Sequence, residues 1–245
     1  MNPSDEIPRD GETCQNHVVD AWVFGIDEAH SVTDKLRAAL SGDELARAAR
    51  LYDSSHQRRF ISARGRMRQI LAFYTGCQPA ELSFEVTPAG KPMLCAPHAG
   101  LHFNLSHSGS RAALGVCRTS ALGIDIEAVR EVREGLARRF FAAAEVAALE
   151  ALATDQQEHA FFQCWTRKEA FLKATGEGIV RGLDSFEVSL GPNEPARINS
   201  IDGDEEAARA WSLLEFDPGP GMLGAVALRA EKACLRFRAV QELPG

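Results

Sequence analysis

The chain has 245 residues, 25% of them charged, and a net charge of −7. This length allows one large domain or two small ones with a shared core. The acidic charge excludes a general nucleic-acid binder, whose phosphate contacts need a basic excess. No apolar run reaches the roughly 20 residues that cross a bilayer, and residues 1–16 lack the basic start and apolar stretch of a signal peptide. We therefore expect a cytoplasmic protein without a membrane segment, with a disordered tail at 1–17.

The first half of the chain predicts one strand, two helices and a second strand. Residues 18–24 are β-branched and aromatic, which is typical of a strand. Residues 41–51 begin with capping-box spacing and predict a helix. A longer helix is predicted over 55–75, because a glycine follows its apolar positions. A strand at 82–87 and a Gly/Pro turn come next.

Three patterns of the first half recur in the same order in the second. The long helices end Thr75-Gly76 and Thr175-Gly176, the segment at 83–86 reappears at 185–188, and 113–116 has a counterpart at 222–226. Each match alone could be chance, but their order predicts a duplicated α+β unit. We expect two similar halves, 18–120 and 121–245, packed about a pseudo-twofold axis as a pseudo-dimer with the active site at their interface.

Two carboxylates come together in the sequence GIDIE at 123–127. On a strand, Asp125 and Glu127 point to the same face. Neighbouring carboxylates repel unless a cation compensates them, and Mg²⁺ takes a few carboxylates together with substrate phosphates. A solvent-facing pair on an edge strand is the alternative interpretation.

A third carboxylate lies among cations in a second long helix. Glu169 and Lys173 are four residues apart and share one helical face, with Arg167 and Lys168 directly beside them. A surface ion pair explains Glu169 and Lys173 alone. It does not explain the two further cations in an apolar helix, which suit a site that holds Mg²⁺ and a pyrophosphate together.

Further polar and basic residues could complete an anion site. Ser106 and His107 end an alternating strand pattern and can donate to phosphate oxygens. A Ser/His nucleophile pair is disfavoured, because adjacent residues on a strand face opposite sides. Lys91 lies in a turn, and several arginines lie on the first long helix, where a solvated face is the alternative. Those arginines are Arg58, Arg59, Arg64, Arg66 and Arg68.

Taken together, the motifs resemble those of the Sfp-type 4′-phosphopantetheinyl transferases. The matching pieces are GKP at 90–92, FNLSHS at 103–108, GIDIE at 123–127, RRFF at 138–141 and WTRKEAFLKATGEG at 165–178. Their order and spacing match from about Trp22 to about Val188. The resemblance implies a pseudo-dimeric α+β fold that binds coenzyme A and Mg²⁺ between its halves, with Mn²⁺ as an alternative ion.

The resemblance also implies a role for each site residue. Asp125, Glu127 and Glu169 would bind the metal. Lys168 and Lys173 would lie on the pyrophosphate of coenzyme A. The residues that would contact its other phosphates, the 3′-phosphate included, are Lys91, Ser106, His107 and an arginine, for which Arg59, Arg64 and Arg68 are open alternatives.

The activity that the resemblance implies is that of a holo-acyl-carrier-protein synthase. A serine hydroxyl of an apo acyl or peptidyl carrier protein attacks the β-phosphorus of coenzyme A, and 3′,5′-ADP leaves. Asp125, Glu169 and Lys173 would be the catalytic residues: Glu169 takes the serine proton, and Lys173 opposes the charge that develops. A Mg²⁺-dependent phosphohydrolase acting on coenzyme A and a non-catalytic scaffold that binds coenzyme A or a carrier are the alternatives.

The expected partner is a carrier protein of fatty-acid, polyketide or nonribosomal-peptide synthesis, and the chain is expected to be a monomer. Such carriers tend to be acidic around the modified serine, so a basic surface is predicted to dock them. Its residues would be Arg130, Arg133, Arg138 and Arg139, with Phe140 and Phe141 beside them. The alternative places the phenylalanines in the core.

Overall fold

The structure is a computed structural model that describes residues 17–178, 181–191 and 194–243. The helices are α1 (His30–Arg37), α2 (Gly42–Ala49), α3 (Ser54–Thr75), α4 (Leu136–Phe140), α5 (Ala143–Glu150), α6 (Thr154–Thr175) and α7 (Glu205–Arg209). The strands are β1 (Val18–Gly25), β2 (Phe84–Val86), β3 (Pro92–Leu94), β4 (His102–Ser108), β5 (Arg111–Cys117), β6 (Leu122–Ala128), β7 (Phe186–Val188), β8 (Ile198–Ile201), β9 (Ser212–Phe216), β10 (Met222–Leu228) and β11 (Cys234–Arg238). Short 3₁₀ helices lie at Pro79–Glu81, Leu183–Ser185 and Val240–Glu242. The predicted α+β class is confirmed.

The strands form two main sheets of similar topology. In the first, the order is β11-β1-β5-β4, and β1 and β4 pair antiparallel on either side of β5. In the second, the order is β6-β10-β9, and β6 and β9 pair antiparallel on either side of β10. The last strand, β11, pairs in parallel with β1. A division of the chain at 120/121 is therefore wrong for β11, which lies in the sheet of the first half.

The ends of the predicted helices lie within two residues of the positions that the local sequence signals indicate. Ser41 Oγ accepts from Glu44 N at 3.3 Å, and Glu44 Oε2 accepts from Ser41 N at 3.1 Å, so the capping box opens α2. The helix ends at Ala49, two residues before the predicted end. Both long helices have 22 residues, and each is followed by a glycine with positive φ, 74° at Gly76 and 73° at Gly176.

Each long helix carries a buried cation that pairs with a glutamate. On α3, Arg68 Nε donates to Glu44 Oε2 at 2.6 Å. On α6, Lys168 Nζ lies 2.7 Å from Glu145 Oε2. Each glutamate stands at the third position of a short preceding helix, α2 or α5. The two pairs are therefore the same contact in the two halves of the chain.

The same two cations also hold a following segment of backbone. Arg68 Nη1 donates to the carbonyls of Pro79 and Leu82 at 2.8 and 3.0 Å. Lys168 Nζ donates to the carbonyls of Leu183 and Phe186 at 2.7 and 2.6 Å. Because buried charges need a full set of partners, these contacts fix each long helix to the small sheet that follows it.

The predicted disordered tail at 1–17 falls, for residues 1–16, outside the described residues. His17 is described, and its carbonyl accepts from the backbone N–H of Cys234 at 2.9 Å, while its ring lies 2.9 Å from Thr119 Oγ1. The predicted tail is therefore wrong at His17, which is held between two segments. Among the described residues, no helix is both long and apolar enough to cross a membrane.

Candidate active site

The two main sheets meet along the edge strands β4 and β6. Neither edge pairs with the other through its backbone; instead, side chains of β4 accept the outward N–H groups of β6. The contacts are Ile124 N to Asn104 Oδ1 at 2.9 Å, Ile126 N to Ser106 Oγ at 3.4 Å and Ala128 N to Ser108 Oγ at 3.1 Å. Because buried backbone donors need acceptors, these three side chains join the halves without a continuous sheet.

Gly123 allows α6 to lie directly on β6. A Cβ atom there would stand 2.0 Å from the carbonyl oxygen of Ala170 and 2.4 Å from the backbone nitrogen of Ala174. Only glycine permits this approach of backbone to backbone. The contact brings Lys173 over Asp125, which follows two residues after the glycine.

Asp125 lies at the bottom of the seam and is 3% exposed. Its Oδ1 accepts from Lys173 Nζ at 2.6 Å and from Ser106 Oγ at 2.8 Å. Its Oδ2 is buried and has no hydrogen-bond partner among the described residues. Burial raises the pKa of the carboxyl, and Lys173 opposes part of that rise.

Glu169 is half-buried on the face of α6 that carries Lys173. Within the described part of the chain, its carboxylate makes no hydrogen bond. Burial raises the pKa of Glu169, Lys173 opposes the rise, and the charges of Asp125 and Glu127 add to it. The unpartnered oxygens of Asp125 and Glu169 are donors of the kind that Mg²⁺ takes.

Glu127 is held more tightly than the sequence suggests. Its Oε2 accepts from Ser108 Oγ at 2.8 Å and from Arg130 Nη1 at 3.1 Å. Over the ranges 17–178, 181–191 and 194–243, no three acidic, histidine or cysteine side chains are arranged to hold a metal ion. The assignment of Asp125, Glu127 and Glu169 as metal ligands therefore stays a prediction, and the chemistry of these oxygen donors fits it.

A cleft leads along the first sheet to these carboxylates. It consists of a larger cavity of about 750 Å³ and a smaller one of about 250 Å³, which share Pro92, Asn104 and Leu105 as wall residues. Glu169 and Lys173 line the smaller cavity. The cations that line the larger one are Arg47, Arg59, Arg64 and Arg130, and His56 and His107 lie beside them.

The structure places some of the residues predicted to contact phosphate in the cleft and one of them away from it. Arg59 and Arg64 line the cleft, where Arg59 pairs with Asp27 at 2.6 Å and Arg64 pairs with Glu44 at 2.8 Å. His107 is exposed in the same wall. The third alternative, Arg68, is buried away from the cleft by the contacts described above and is ruled out.

Two predicted phosphate contacts are wrong. Lys168 is fully buried, and its ammonium is directed into the core of the second half, so it cannot lie on a pyrophosphate in the cleft. Ser106 is buried at the seam, where its hydroxyl donates to Asp125 and accepts from Ile126 N. His107, and not Ser106, therefore lines the cleft.

Lys91 lies in the turn between β2 and β3, and it forms part of the wall of the smaller cavity. Its Nζ donates to the carbonyls of Leu122 and Lys173 at 2.7 and 2.6 Å, which ties the turn to β6 and to the end of α6. Burial lowers its pKa to about 8. A phosphate contact of Lys91 stays a prediction, and its third N–H is the donor left for it.

The chain is similar to proteins of one family over most of its length. Residues 121–228 match the family described as the 4′-phosphopantetheinyl transferase superfamily. The 4′-phosphopantetheinyl transferase HetI of Nostoc sp. (strain PCC 7120 / SAG 25.82 / UTEX 2576) is 43% identical over 214 residues, which are 86% of this chain and 87% of HetI. The chain belongs to the 4′-phosphopantetheinyl transferase superfamily.

Two relatives from Bacillus subtilis extend the likeness to the type predicted from the motifs. One 4′-phosphopantetheinyl transferase is 34% identical over 184 residues, 71% of this chain and 81% of the relative. The 4′-phosphopantetheinyl transferase Sfp of strain 168 is 28% identical over 187 residues, 76% of this chain and 81% of Sfp. The predicted resemblance to Sfp-type 4′-phosphopantetheinyl transferases is confirmed, and so is the prediction of an enzyme.

In this 4′-phosphopantetheinyl transferase, the two phenylalanines of RRFF have different roles. Phe141 is buried and stacks on Phe161 with ring centroids 5.0 Å apart. Phe140 is partly exposed and meets Trp165 edge to face at 5.7 Å. Arg139 lies 5.1 Å from the Phe140 ring, so an arginine and a phenylalanine share the surface there.

Sequence reasoning missed Arg47, which lines the cleft of the 4′-phosphopantetheinyl transferase from the last turn of α2. Its guanidinium lies 5.5 Å from the centre of the Phe60 ring. The capping box predicted α2 correctly. The direction of the Arg47 side chain, however, depends on how α2 packs against α3.

Proposed function

We propose that this chain transfers the 4′-phosphopantetheine arm of coenzyme A to a serine of an apo acyl or peptidyl carrier protein, which gives the holo carrier and 3′,5′-ADP. The observation that carries the proposal is the position of Glu169 and Lys173 at the inner end of a cleft whose outer part is lined by arginines. A phosphorylated substrate that enters along these cations would reach a base and an ammonium together.

The charges of the cleft favour one orientation of coenzyme A. Arg47, Arg59 and Arg64, with His107 beside them, suit the 3′-phosphate at the wide outer end. Lys173 suits the pyrophosphate at the narrow inner end. This orientation leaves the pantetheine arm to follow the wall formed by Lys91 and its turn.

Asp125, Glu127 and Glu169 would hold a divalent cation, Mg²⁺ or Mn²⁺. When bound, the ion would neutralise charge on the phosphate oxygens. Asp125 Oδ2 and the Glu169 carboxylate have no hydrogen bond among the described residues, which supports their assignment as ligands. Glu127 would join them from the same face of β6.

The protein's own groups account for the proton and for the leaving charge. Glu169 would take the proton of the carrier serine at a carboxylate oxygen, and its raised pKa makes it a stronger base than an exposed glutamate. Lys173 would oppose the charge that grows on the leaving oxygen. Asp125 keeps the Lys173 ammonium in place through their 2.6 Å contact.

We also propose that the two halves are a pseudo-dimer. The order of antiparallel strands is the same in the two main sheets. The pairs Glu44–Arg68 and Glu145–Lys168 repeat one buried contact. A duplicated unit explains both facts, and it places the cleft at the junction of the copies.

The carrier would dock on the exposed arginines near α4 in a monomeric, cytoplasmic enzyme. Arg138 and Arg139 are exposed there, and Phe140 supplies a partly apolar surface between them and Trp165. Acidic carriers complement this charge. Arg138 already pairs with Glu150 at 2.7 Å, so Arg139 is the freer of the two for a carrier carboxylate.

The experiment incubates the purified chain with coenzyme A, Mg²⁺ and an apo carrier protein, and weighs the carrier by intact-mass spectrometry. We expect a metal-dependent gain of one phosphopantetheine on the carrier serine and release of 3′,5′-ADP. A carrier that stays apo while coenzyme A is broken down would identify a phosphohydrolase. If neither the carrier nor coenzyme A changes, the result would identify the chain as a non-catalytic binding scaffold.

A further inference from the structure

Two serines of β4 each bridge the backbone of β6 and a carboxylate beside it. Ser106 Oγ accepts from Ile126 N at 3.4 Å and donates to Asp125 Oδ1 at 2.8 Å. Ser108, two residues further along β4, makes the same pair of contacts. It accepts from Ala128 N at 3.1 Å and donates to Glu127 Oε2 at 2.8 Å.

The partners fix the direction of each hydroxyl proton. A serine hydroxyl has one donor and two acceptor positions, whereas a backbone N–H and an ammonium can only donate. Ile126 N and Lys173 Nζ, the latter at 3.2 Å, therefore occupy the acceptor positions of Ser106. The single proton of Ser106 is left for Asp125. Ser108 accepts from one donor, Ala128 N, and donates its own proton to Glu127 Oε2.

We propose that Ser106 and Ser108 are positioning residues, which orient the carboxylates of Asp125 and Glu127 for a divalent cation; this rests on the proposed function. Lys173 and Arg130 supply charged donors to the same two oxygens, and each serine adds a neutral donor that orients its carboxylate without cancelling further charge. Donors behind metal-binding carboxylates commonly set their affinity for the ion. The same hydroxyls also hold the seam, so the junction of the halves and the ion site are built from one row of side chains.

Asn104 supplies a matched comparison in the same row. Its Oδ1 accepts from Ile124 N at 2.9 Å, and it is buried at the seam like the serines. It makes no hydrogen bond to a carboxylate in the part of the chain that the structure describes. Asn104→Ala therefore removes a seam contact of the same kind and leaves Asp125 and Glu127 with their donors.

The test measures Mn²⁺ binding to the full chain without coenzyme A, from the electron paramagnetic resonance signal of the free ion. For Ser106→Ala and Ser108→Ala we expect Mn²⁺ affinity to fall by about 10–100-fold. Asn104→Ala should bind Mn²⁺ with the affinity of the unaltered chain. Its melting temperature should nevertheless fall as much as that of the two serine variants. Ser108→Thr keeps the hydroxyl on a residue suited to a strand, and it should restore Mn²⁺ affinity.

The proposal would be overturned if Mn²⁺ affinity were unchanged in both serine variants, or if Asn104→Ala weakened it equally. An unaltered chain that binds no Mn²⁺ would overturn it as well. Transfer to an apo carrier, measured in parallel, reports on the proposed function separately. A chain that shows the expected Mn²⁺ pattern but transfers nothing would support the positioning role and contradict the transfer reaction.

Discussion

The ammonium of Lys173 lies 2.6 Å from Asp125 Oδ1, and this contact joins the second long helix to the strand that carries two carboxylates. The approach is possible because Gly123 lets the helix backbone touch the strand. One ion pair thus places Glu169, one turn earlier on α6, at the end of the basic cleft.

Lys173→Met should lower transfer by about 100–1,000-fold, because the variant loses the charge that opposes the leaving group. It also leaves the buried Asp125 without its cation, so the free energy of unfolding should fall by about 1–3 kcal/mol. Steady-state transfer rates and urea unfolding measure the two effects. Lys35→Met, at an exposed position of α1, is the control and should behave as the unaltered chain. Full activity in Lys173→Met would remove the lysine from the reaction.

Gly123→Ala should lower the free energy of unfolding by about 3 kcal/mol or more, because its methyl would overlap the α6 backbone. Gly25→Ala is the matched control: it also lies on a strand, and no atom stands within 4 Å of an added Cβ. Its stability should stay within about 0.5 kcal/mol of the unaltered chain. Equal urea midpoints for the two variants would contradict the close packing of α6 on β6.

Lys168→Met should destabilise the chain by about 3–5 kcal/mol, because it strands the buried charge of Glu145. The double variant Lys168→Met/Glu145→Gln should recover part of that stability, since it removes both charges and keeps an acceptor for the backbone N–H groups that Glu145 holds. The KM for coenzyme A should not change in the folded fraction of either variant. A raised KM without loss of stability would restore Lys168 to the pyrophosphate site.

Lys91 should make stability depend on pH above neutrality. Burial lowers its pKa in the folded chain to about 8 from 10.5, so between these values the unfolded chain binds more protons. Stability should therefore rise with pH across this range relative to Lys91→Met. Urea unfolding of both chains at pH 7.5 and at pH 10 measures the difference. Parallel pH dependence in the two chains would show that Lys91 keeps an ordinary pKa.

The helices α2, α3 and α6 and strands such as β1 and β4 could be predicted because their signals are local. A capping box, a glycine after a long helix and an alternating strand pattern lie within a few residues of each other. The motifs located the carboxylates in the same way. What could not be predicted is the pairing of β11 with β1, because that contact joins opposite ends of the chain.

The sequence also did not predict in which direction individual side chains of the site point. Lys168 and Glu169 are neighbours in sequence but point about 100° apart on a helix. Since polar and apolar residues are mixed around α6, no single polar face in the sequence showed which of them turns to the cleft. Ser106 and His107 pose the same problem on a strand, where the seam with β6 decides which face is buried.

The central claim is tested most directly by the rate of carrier modification with Glu169→Gln beside the unaltered chain, each with coenzyme A and Mg²⁺, followed by intact mass. The unaltered chain should add one phosphopantetheine per apo carrier. Glu169→Gln should be slower by at least about 100-fold, because the serine loses its base, and its melting temperature should not fall. Equal rates would contradict the assignment of Glu169, and an unmodified carrier with the unaltered chain would contradict the transfer reaction itself.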